Sequence, residues 1–256
     1  MSDSPPAEKP ATEKPSAGRV AGMWAKEIAI VVIGALVAST LLRLFVAQMF
    51  VIPSGSMENT LMVRDRVMVQ KVAGWSRGDI VVFRDTQSWL ADPVEETDPV
   101  RKALIFIGLA PDESSNHLIK RVIGLPGDHV KCCDSQGRVT VNGQPLDERS
   151  YLYSDGGGQT VEPSEMPFDV VVPKDRIWVM GDHRNNSQDS RCHLNAGTDG
   201  IAAFVPTADV VGSAVAIVYP FDRWRILSRP DTFGHVPEPT APPPDSPVVT
   251  GPIPVC

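Results

Sequence analysis

A serine-containing turn lies between a long apolar segment and the first charged, strand-like segment of the chain. The turn reads PSGSMENTL, from Pro53 to Leu61, and contains two serines, a glycine and a methionine. A serine hydroxyl is a weak nucleophile at neutral pH and needs a base within hydrogen-bonding reach to remove its proton. Ser56 is therefore a candidate nucleophile if the fold supplies a base, and otherwise the turn is an ordinary connecting loop.

Two candidate bases for Ser56 occur further along the chain. His183 follows Asp182, but side chains of adjacent residues point apart in extended structure, so Asp182 is poorly placed to orient His183 as a catalytic triad requires. Lys120 lies in the apolar stretch HLIKRVIGL, where burial would lower the pKa of its amine and let it accept a proton. Strict strand alternation turns one of Lys120 and Arg121 inward. The residues alone leave open a triad, a lysine base and a pair of solvated charges.

A dense polar segment, GDHRNNSQDSR, covers Gly181–Arg191 and directly follows the strand-like RIWVM. It contains acids, amides, serines and two arginines but no apolar side chain. A surface turn would look similar. So many polar side chains in eleven residues favour a hydrogen-bonded loop that fixes a site beside the end of the strand, because binding and catalytic residues often lie on loops held by a rigid scaffold.

The apolar segment before the turn is long enough to cross a bilayer. It has no charge from Ile28 to Leu42 and continues to Ile52 with two polar interruptions, whereas about 20 apolar residues suffice for a span. A buried helix of a soluble protein would keep a polar stripe, and no convincing cleavage site of a signal peptide follows the run. We predict a transmembrane helix over residues 24–52 after a cytoplasmic tail, because basic residues before a first span favour the cytoplasmic side: Lys9, Lys14, Arg19 and Lys26.

Composition separates both ends of the chain from a folded middle. The 24 prolines gather in the first 15 residues and again after Arg229. Such segments bury too little apolar surface to offset their ordering entropy. We therefore predict disordered tails over residues 1–23 and 229–256.

Charge and cysteine usage limit the functional classes. The formal net charge of -7 argues against a nucleic-acid binder, which would carry a basic face. Adjacent Cys132 and Cys133 lack the spacing of a zinc site, and the sequence has no metal or nucleotide motif, so no cofactor is expected. An extracytoplasmic location allows disulfides, but the sequence does not choose partners among the four cysteines.

Residues 53–228 are predicted to form a mainly β, antiparallel sheet domain. Short strand-like segments are separated by turns, and Asn142–Gly143 is a strong hairpin signal. Two long interruptions, Asp85–Asn116 and Tyr151–Val170, are predicted to be loops or insertions. Within the first, VRKALIFIGLA is interpreted as a packed helix, with a membrane-touching patch as the alternative.

Six motifs resemble those of bacterial type I signal peptidases, in the same order: PSGSMENTL, DRVMVQK, RGDIVVF, IKRVIGLPGD, VNGQPLDE and MGDHRNNSQDSR. The resemblance covers about Ile28 to Pro220, and the adjacent cysteines and His183 are most similar to enzymes of high-GC Gram-positive bacteria. It implies a serine–lysine endopeptidase anchored in the cytoplasmic membrane of a bacterium, with its catalytic domain outside the cytoplasm. The implied partners are secretory preproteins, from which it removes signal peptides after small residues, and membrane lipid.

The resemblance also implies roles for individual residues. Ser56 would be the nucleophile and Lys120 the general base, and the Ser56 amide and Ser54 hydroxyl would form the oxyanion hole. Ser187 should hydrogen-bond near the Lys120 ammonium, and Met57 should pack beneath the turn. Three further residues should hold the shape of the site through ion pairs: Asp182, Asp189 and Arg191.

The chain departs from the family pattern at several positions. Asn185 stands where many relatives carry aspartate and His183 where many carry asparagine, which weakens a detailed ion-pair map of the loop. The single span contrasts with relatives that have two, and Cys132–Cys133 do not reproduce the spaced cysteine pair of some relatives. An extended substrate is expected to pair with a strand edge, either DRVMVQ or the segment before Lys120.

Two alternative functions remain at this point. A self-processing serine–lysine protease is disfavoured by the transmembrane span. A non-catalytic, anchored β domain that binds peptides is disfavoured by the presence of both Ser56 and Lys120.

Overall fold

The computed structural model describes residues 17–90, 97–107, 116–194, 199–253 and 256. These residues form two helices and two antiparallel sheets, joined by turns and short 3-10 segments. The helices are α1 (Ala17–Phe45) and α2 (Pro99–Ile107). The strands are β1 (Ala47–Val51), β2 (Arg66–Gln70), β3 (Ile80–Arg84), β4 (His117–Gly124), β5 (His129–Cys132), β6 (Val139–Val141), β7 (Gln144–Pro145), β8 (Phe168–Val171), β9 (Arg176–Met180), β10 (Val205–Pro206), β11 (Val210–Tyr219), β12 (Arg225–Ile226) and β13 (Val248–Val249). The predicted fold class, a mainly antiparallel β domain behind one apolar helix, is confirmed.

Helix α1 is apolar on all sides and is the one described helix that could cross a membrane. Its stretch Trp24–Leu42 has 19 residues and a mean hydropathy of 2.0, and almost all of these side chains are exposed. The helix begins at Ala17, so it includes residues 17–23 of the predicted tail; residues 1–16 lie outside the described part.

The predicted end of the helix at residue 52 is wrong. Helix α1 ends at Phe45, and Ala47–Val51 forms β1, which pairs with β2 along its whole length. The segment is apolar, but hydropathy does not distinguish a helix from a strand. Pairing with β2 satisfies the backbone of this segment, and that pairing partner is visible only in the folded chain.

The first sheet places β4 between β3 and β9. Its strand order is β1-β2-β11-β3-β4-β9-β10. Strand β12 pairs with the part of β11 that extends beyond β3. Two apolar clusters pack against β3, one with Met57 and Ile80 and the other with Val81 and Val122. As a result, four of the five residues of β3 are buried. Strand β4 is likewise buried from Ile119 onward. Both members of the pair Lys120–Arg121 are therefore buried, whereas alternation had predicted only one inward side chain.

The second sheet, in the order β13-β8-β5-β6-β7, packs beside β4 and β9. Trp178 of β9 is fully buried among Phe168, Phe204 and the valines of β5 and β6. The hairpin between β6 and β7 turns at Asn142 and Gly143, both with positive φ, as the Asn-Gly signal predicts. The interruption at residues 85–116 contains α2, so a helix is present as predicted, but its described side chains are mostly exposed and do not show the predicted packing. Residues 91–96 and 108–115 lie outside the described part.

The prediction of a disordered tail over residues 229–256 is wrong for its described residues. Phe233 and Val236 are buried in the core of the second sheet, and β13 pairs with β8. Glu238 forms an ion pair with Arg77, a buried residue that also binds Asp128. A proline-rich segment cannot build a core of its own, but it becomes ordered when an existing sheet offers an apolar surface and a free strand edge.

All four cysteines form disulfides, a pairing that the sequence left open. Cys132 bonds to its neighbour Cys133, and Cys192 bonds to Cys256. The second bond joins the end of the tail to the residue that directly follows the polar loop Gly181–Arg191. The tail is thus attached to the domain at both of its ends.

Replacing Cys256 should weaken the folded domain. The Cys192–Cys256 bond links residues 64 positions apart, and a bond that closes a loop of this size stabilises a domain by about 2–4 kcal/mol, chiefly by restricting the unfolded chain. Cys256→Ser should lower the free energy of unfolding by that amount, as measured by denaturant titration with tryptophan fluorescence in detergent. Ser246→Ala, in the same tail and exposed, is the control, and equal stability of both variants would contradict this role.

Candidate active site

The predicted nucleophile lies on a short 3-10 turn, Gly55–Met57, at the edge of the apolar core. Met57 and Leu61 are fully buried, and the amide of Leu61 donates to the carbonyl of Met57 at 2.7 Å. These two anchors hold the turn against the first sheet, as predicted for Met57. Ser56 is buried, whereas Ser54 is exposed and faces it with an Oγ–Oγ distance of 3.5 Å.

Lys120 reaches the nucleophile from the middle of β4. Its Nζ donates to Ser56 Oγ at 2.7 Å, and only 3% of the residue is exposed. The two residues are 64 positions apart in the chain, and the sheet brings them together because β3 and β9 hold β4 on either side. This distance is within the range required between a serine nucleophile and its base.

The surroundings of Lys120 shift its amine toward the neutral form. Burial removes water from the ammonium and lowers its pKa to about 8, while the carboxylates of Asp189 and Asp182 act in the opposite direction. The guanidinium of Arg191 adds to the lowering. About a tenth of the amine is therefore unprotonated at pH 7, far more than for an exposed lysine, and this fraction can accept the Ser56 proton.

Asp182 connects the nucleophile segment to the strand that carries the base. Arg121 donates to both of its carboxylate oxygens, at 2.8 and 2.6 Å, and Thr60 Oγ1 donates to it at 2.5 Å. Arg121 also donates to the carbonyl of Gly78 and lies over the ring of Tyr151, 4.3 Å from its centre. All the charge of this pair is buried, so loss of either partner would leave an uncompensated ion.

Asp189 and Arg191 organise the second half of the polar loop. Arg191 donates to both carboxylate oxygens of Asp189 at 2.9 Å, and Asp189 accepts from the amide of Gly181 at 2.9 Å. Burial by itself would raise the pKa of Asp189, but Arg191 and these hydrogen bonds lower it. Gly181 has no room for a side chain, because a Cβ there would lie 2.5 Å from the carbonyl oxygen of Ser56.

Ser187 is not in hydrogen-bonding contact with Lys120, contrary to the expectation from the resemblance. Its hydroxyl is buried against Gly181, where an added Cβ would lie 2.3 Å from it. It is one of the groups that lower the pKa of Asp189. Ser187 lies against Gly181, and the amide of Gly181 donates to Asp189, so the Ser187 side chain is on the side of the site where Asp189 lies.

The structure gives no support to a histidine base. Asp182 is occupied by Arg121 and Thr60, and Nδ1 of His183 faces the carbonyl of Gly55 and the carboxylate of Glu58. Lys120, by contrast, contacts Ser56 Oγ directly. Of the two bases that the sequence left open, the lysine has the required geometry.

Several buried polar residues of the site were missed at the sequence level. Glu148 binds Arg184 through both of its oxygens and accepts from the hydroxyl of Tyr151 at 2.6 Å. Arg184 also donates to the carbonyl of Gly181 at 3.0 Å and so holds the start of the polar loop. Arg121 was singled out only as a neighbour of Lys120, and Glu148 ends the motif VNGQPLDE without having been given a role.

One of the two candidate edges for an extended substrate is open. Strand β2 pairs with β1 on one side and with β11 on the other, so DRVMVQ offers no free edge. Strand β4 pairs with β3 from His117 to Arg121, but its ladder with β9 begins only at Arg121. In the described ladders, residues 118–120 have no partner strand on the β9 side, next to Lys120.

Comparison with known proteins agrees with the geometry. The family model described as signal peptidase, peptidase S26, matches residues 24–219. Signal peptidase I of Mycobacterium tuberculosis is 38% identical over 225 residues, which cover 79% of this chain and 75% of that protein. Signal peptidase I of Leptolyngbya laminosa is 34% identical over 240 residues, 91% and 98% of the two chains.

More distant relatives carry the same name. Signal peptidase I S of Bacillus subtilis is 31% identical over 210 residues, covering 79% of this chain and 91% of that protein. A crystal structure of a signal peptidase I from Enterococcus faecalis is 22% identical, covers 56% of this chain and 97% of that one, and aligns with a TM-score of 0.32, too low to bear on the fold. From the family match and the sequence identities, the chain belongs to the signal peptidase family, the S26 peptidases.

Proposed function

We propose that this chain is a membrane-anchored serine endopeptidase that removes N-terminal signal peptides from secreted preproteins, with Ser56 as nucleophile and Lys120 as general base. The observation that carries the assignment of roles is the hydrogen bond of 2.7 Å between the buried Lys120 amine and Ser56 Oγ. The family and its curated relatives support the reaction class.

Neutral Lys120 begins the reaction by taking the proton of the Ser56 hydroxyl. The Ser56 oxygen then attacks the carbonyl carbon of the scissile peptide bond and forms a tetrahedral intermediate with a negatively charged oxygen. When this intermediate collapses, the C–N bond breaks and the protonated Lys120 gives its proton to the leaving amine of the mature protein. The signal peptide remains esterified to Ser56, and a water deprotonated by Lys120 hydrolyses the ester in the second half of the reaction.

Two donors beside the nucleophile would stabilise the oxyanion. The backbone amide of Ser56 and the hydroxyl of Ser54, whose oxygen is 3.5 Å from Ser56 Oγ, are the candidates. Donors of this kind typically contribute about 3–4 kcal/mol each when aimed at the developing charge.

The open edge of β4 next to Lys120 is the proposed binding site for the substrate backbone. An extended segment that adds to residues 118–120 would present its alternate side chains to the site and bring one peptide bond close to Ser56. Small residues before the scissile bond would fill shallow pockets, as the resemblance implies.

The anchor determines where the reaction takes place. Residues 24–42 of α1 would cross the cytoplasmic membrane of a bacterium, and the basic residues before and at the start of this stretch would hold the N-terminus inside. The β domain, including Ser56, then lies outside the cytoplasm, close to the bilayer surface where signal peptides emerge.

Membrane lipid would also contact the first sheet. Met49, Met68 and Ile226 belong to one row that runs across β1, β2, β11 and β12, and all three are exposed. Phe221 and Trp224, between β11 and β12, are 81% and 60% exposed. Apolar side chains clustered beside a membrane anchor gain free energy by entering the interface, and a tryptophan is well suited to that depth.

Replacement of either dyad residue should abolish cleavage. Ser56→Ala removes the attacking oxygen and Lys120→Met removes the base while keeping an apolar chain of similar length, so each should reduce kcat on a preprotein by a factor on the order of 10⁴ or more. Matched controls are Ser228→Ala and Lys131→Met, which change exposed residues away from the site. Cleavage by Ser56→Ala or Lys120→Met at the control rate would refute the proposed roles.

The reaction should lose rate in acid because Lys120 must be neutral. Its pKa, lowered by burial to about 8, means that kcat/KM should be level in alkaline solution and fall about tenfold per pH unit below that value. The profile is measured on the detergent-purified protein, with tryptophan fluorescence to show that the fold is intact at each pH. A rate independent of pH through neutrality would exclude a lysine base.

Lipid contact at Trp224 is tested by fluorescence quenching in vesicles. The wild type reconstituted with lipids brominated near the headgroup should lose more emission than Trp224→Phe, because the replaced indole lies in the interface. Trp178→Phe, which removes a buried indole, is the matched control. Equal quenching of wild type and Trp224→Phe would place this surface outside the lipid.

A further inference from the structure

His183 contacts the nucleophile turn at both carbonyl groups that flank Ser56. Its backbone amide donates to the carbonyl oxygen of Ser56 at 3.1 Å. Its ring nitrogen Nδ1 lies 3.2 Å from the carbonyl oxygen of Gly55 and 3.1 Å from Glu58 Oε2. The ring stacks on Tyr153 with centroids 3.7 Å apart and an interplanar angle of 11°, which restrains its rotation.

The partners of Nδ1 determine which nitrogen carries the proton. A backbone carbonyl oxygen only accepts hydrogen bonds, and so does an ionised carboxylate. A hydrogen bond to Gly55 therefore requires a proton on Nδ1, in the neutral ring as well as in the protonated one. The same N–H is shared with Glu58, whose carboxylate lies directly against Gly55, since a Cβ at Gly55 would be 2.9 Å from it.

The Gly55 carbonyl has a direct geometric relation to the reaction. It belongs to the same peptide unit as the Ser56 amide, and this unit is not among the cis bonds of the described chain. In a planar trans peptide, the C=O and N–H bonds point in opposite directions. Any group that holds the Gly55 oxygen thereby fixes the direction of the Ser56 N–H.

We propose that His183 is a positioning residue of the oxyanion hole: its Nδ1–H holds the Gly55 carbonyl, and this contact aims the Ser56 N–H at the oxygen that becomes negative. The inference rests on the proposed function, because it assumes that the Ser56 amide is an oxyanion donor. It assigns His183 no proton transfer, because Nδ1 contacts the Gly55 carbonyl and Glu58 while Lys120 contacts Ser56 Oγ. Tyr153 and the Glu58 carboxylate act through His183, the first by restraining the ring and the second by sharing the N–H. The Glu58 amide closes the 3-10 turn by donating to the same Gly55 oxygen at 3.1 Å, so His183 adds a second donor to it.

Two substitutions of nearly the same shape separate the hydrogen bond from packing. Asparagine places an N–H₂ group at the δ position that Nδ1 occupies, whereas leucine has the same branching and no donor. His183→Leu should lower kcat roughly ten- to a hundredfold with little change in KM, because a misdirected donor weakens binding of the transition state more than of the substrate. His183→Asn should retain most of the wild-type rate. The fall of kcat/KM in acid should keep its midpoint in both variants, since Lys120 is unchanged.

The controls distinguish failure of this inference from failure of the proposed function. His129→Leu makes the same exchange on the second sheet, where His129 contacts Asp169, and should leave kcat unchanged. A wild-type kcat in His183→Leu, or equal losses in the leucine and asparagine variants, would overturn the positioning role. If the wild type does not cleave preproteins, or if Ser56→Ala does, the proposed function itself fails.

A readout that needs no turnover covers the case in which His183→Leu does not fold. In ¹⁵N-labelled wild-type protein, long-range ¹⁵N–¹H spectra should show the His183 proton on Nδ1 in the neutral ring, with the assignment made from the signals missing in His183→Asn. A proton on Nε2 would leave the Gly55 carbonyl without this donor and would overturn the inference.

Discussion

The structure depends on keeping one lysine amine out of water and next to a serine hydroxyl. An ammonium is strongly hydrated, and the lowering of the Lys120 pKa from 10.5 to about 8 corresponds to a cost on the order of 3 kcal/mol for holding the charged form in the domain. The remainder of the fold must supply that free energy. It does so through the two apolar clusters that cover β3 and β4, because these strands lie in the middle of the first sheet and are covered on both faces.

The buried charges around the Lys120 amine have opposing effects on its pKa. Two carboxylates, Asp182 and Asp189, favour the ammonium, but each is already bound to an arginine. Carboxylates without such partners would restore the ordinary pKa of the lysine, since an opposite charge nearby favours the charged form. The ion pairs Arg121–Asp182 and Arg191–Asp189 therefore have two effects: they fix the loop, and they limit the negative field at Lys120.

The nucleophile turn is held by contacts from several parts of the chain. Met57 and Leu61 fix it to the apolar core, Thr60 binds Asp182, and the loop after β9 approaches the Ser56 carbonyl so closely that position 181 must be glycine. Arg184 of this loop pairs with Glu148, which follows β7, and the Cys192–Cys256 bond attaches the tail just beyond the loop. The rigidity of the site thus comes from elements distant in sequence, which suits a reaction that needs its donors aimed before the substrate arrives.

The sequence by itself determined the class of the fold and the long apolar helix, and its family motifs named Ser56 and Lys120 as the candidate dyad. Alternating strand segments, an Asn-Gly hairpin and a long uncharged run are local signals, and the order of the motifs around Ser56 and Lys120 is a family signal. Neither kind of signal reports on partners far away in the chain. The sequence therefore placed the end of the helix at residue 52, treated residues 229–256 as disordered, left the disulfides open and missed the buried ion pairs of Glu148 and Arg121. Only the tertiary structure decided these features, because a strand edge, an apolar surface or a buried counter-charge exists only once the distant segment that provides it has folded into place.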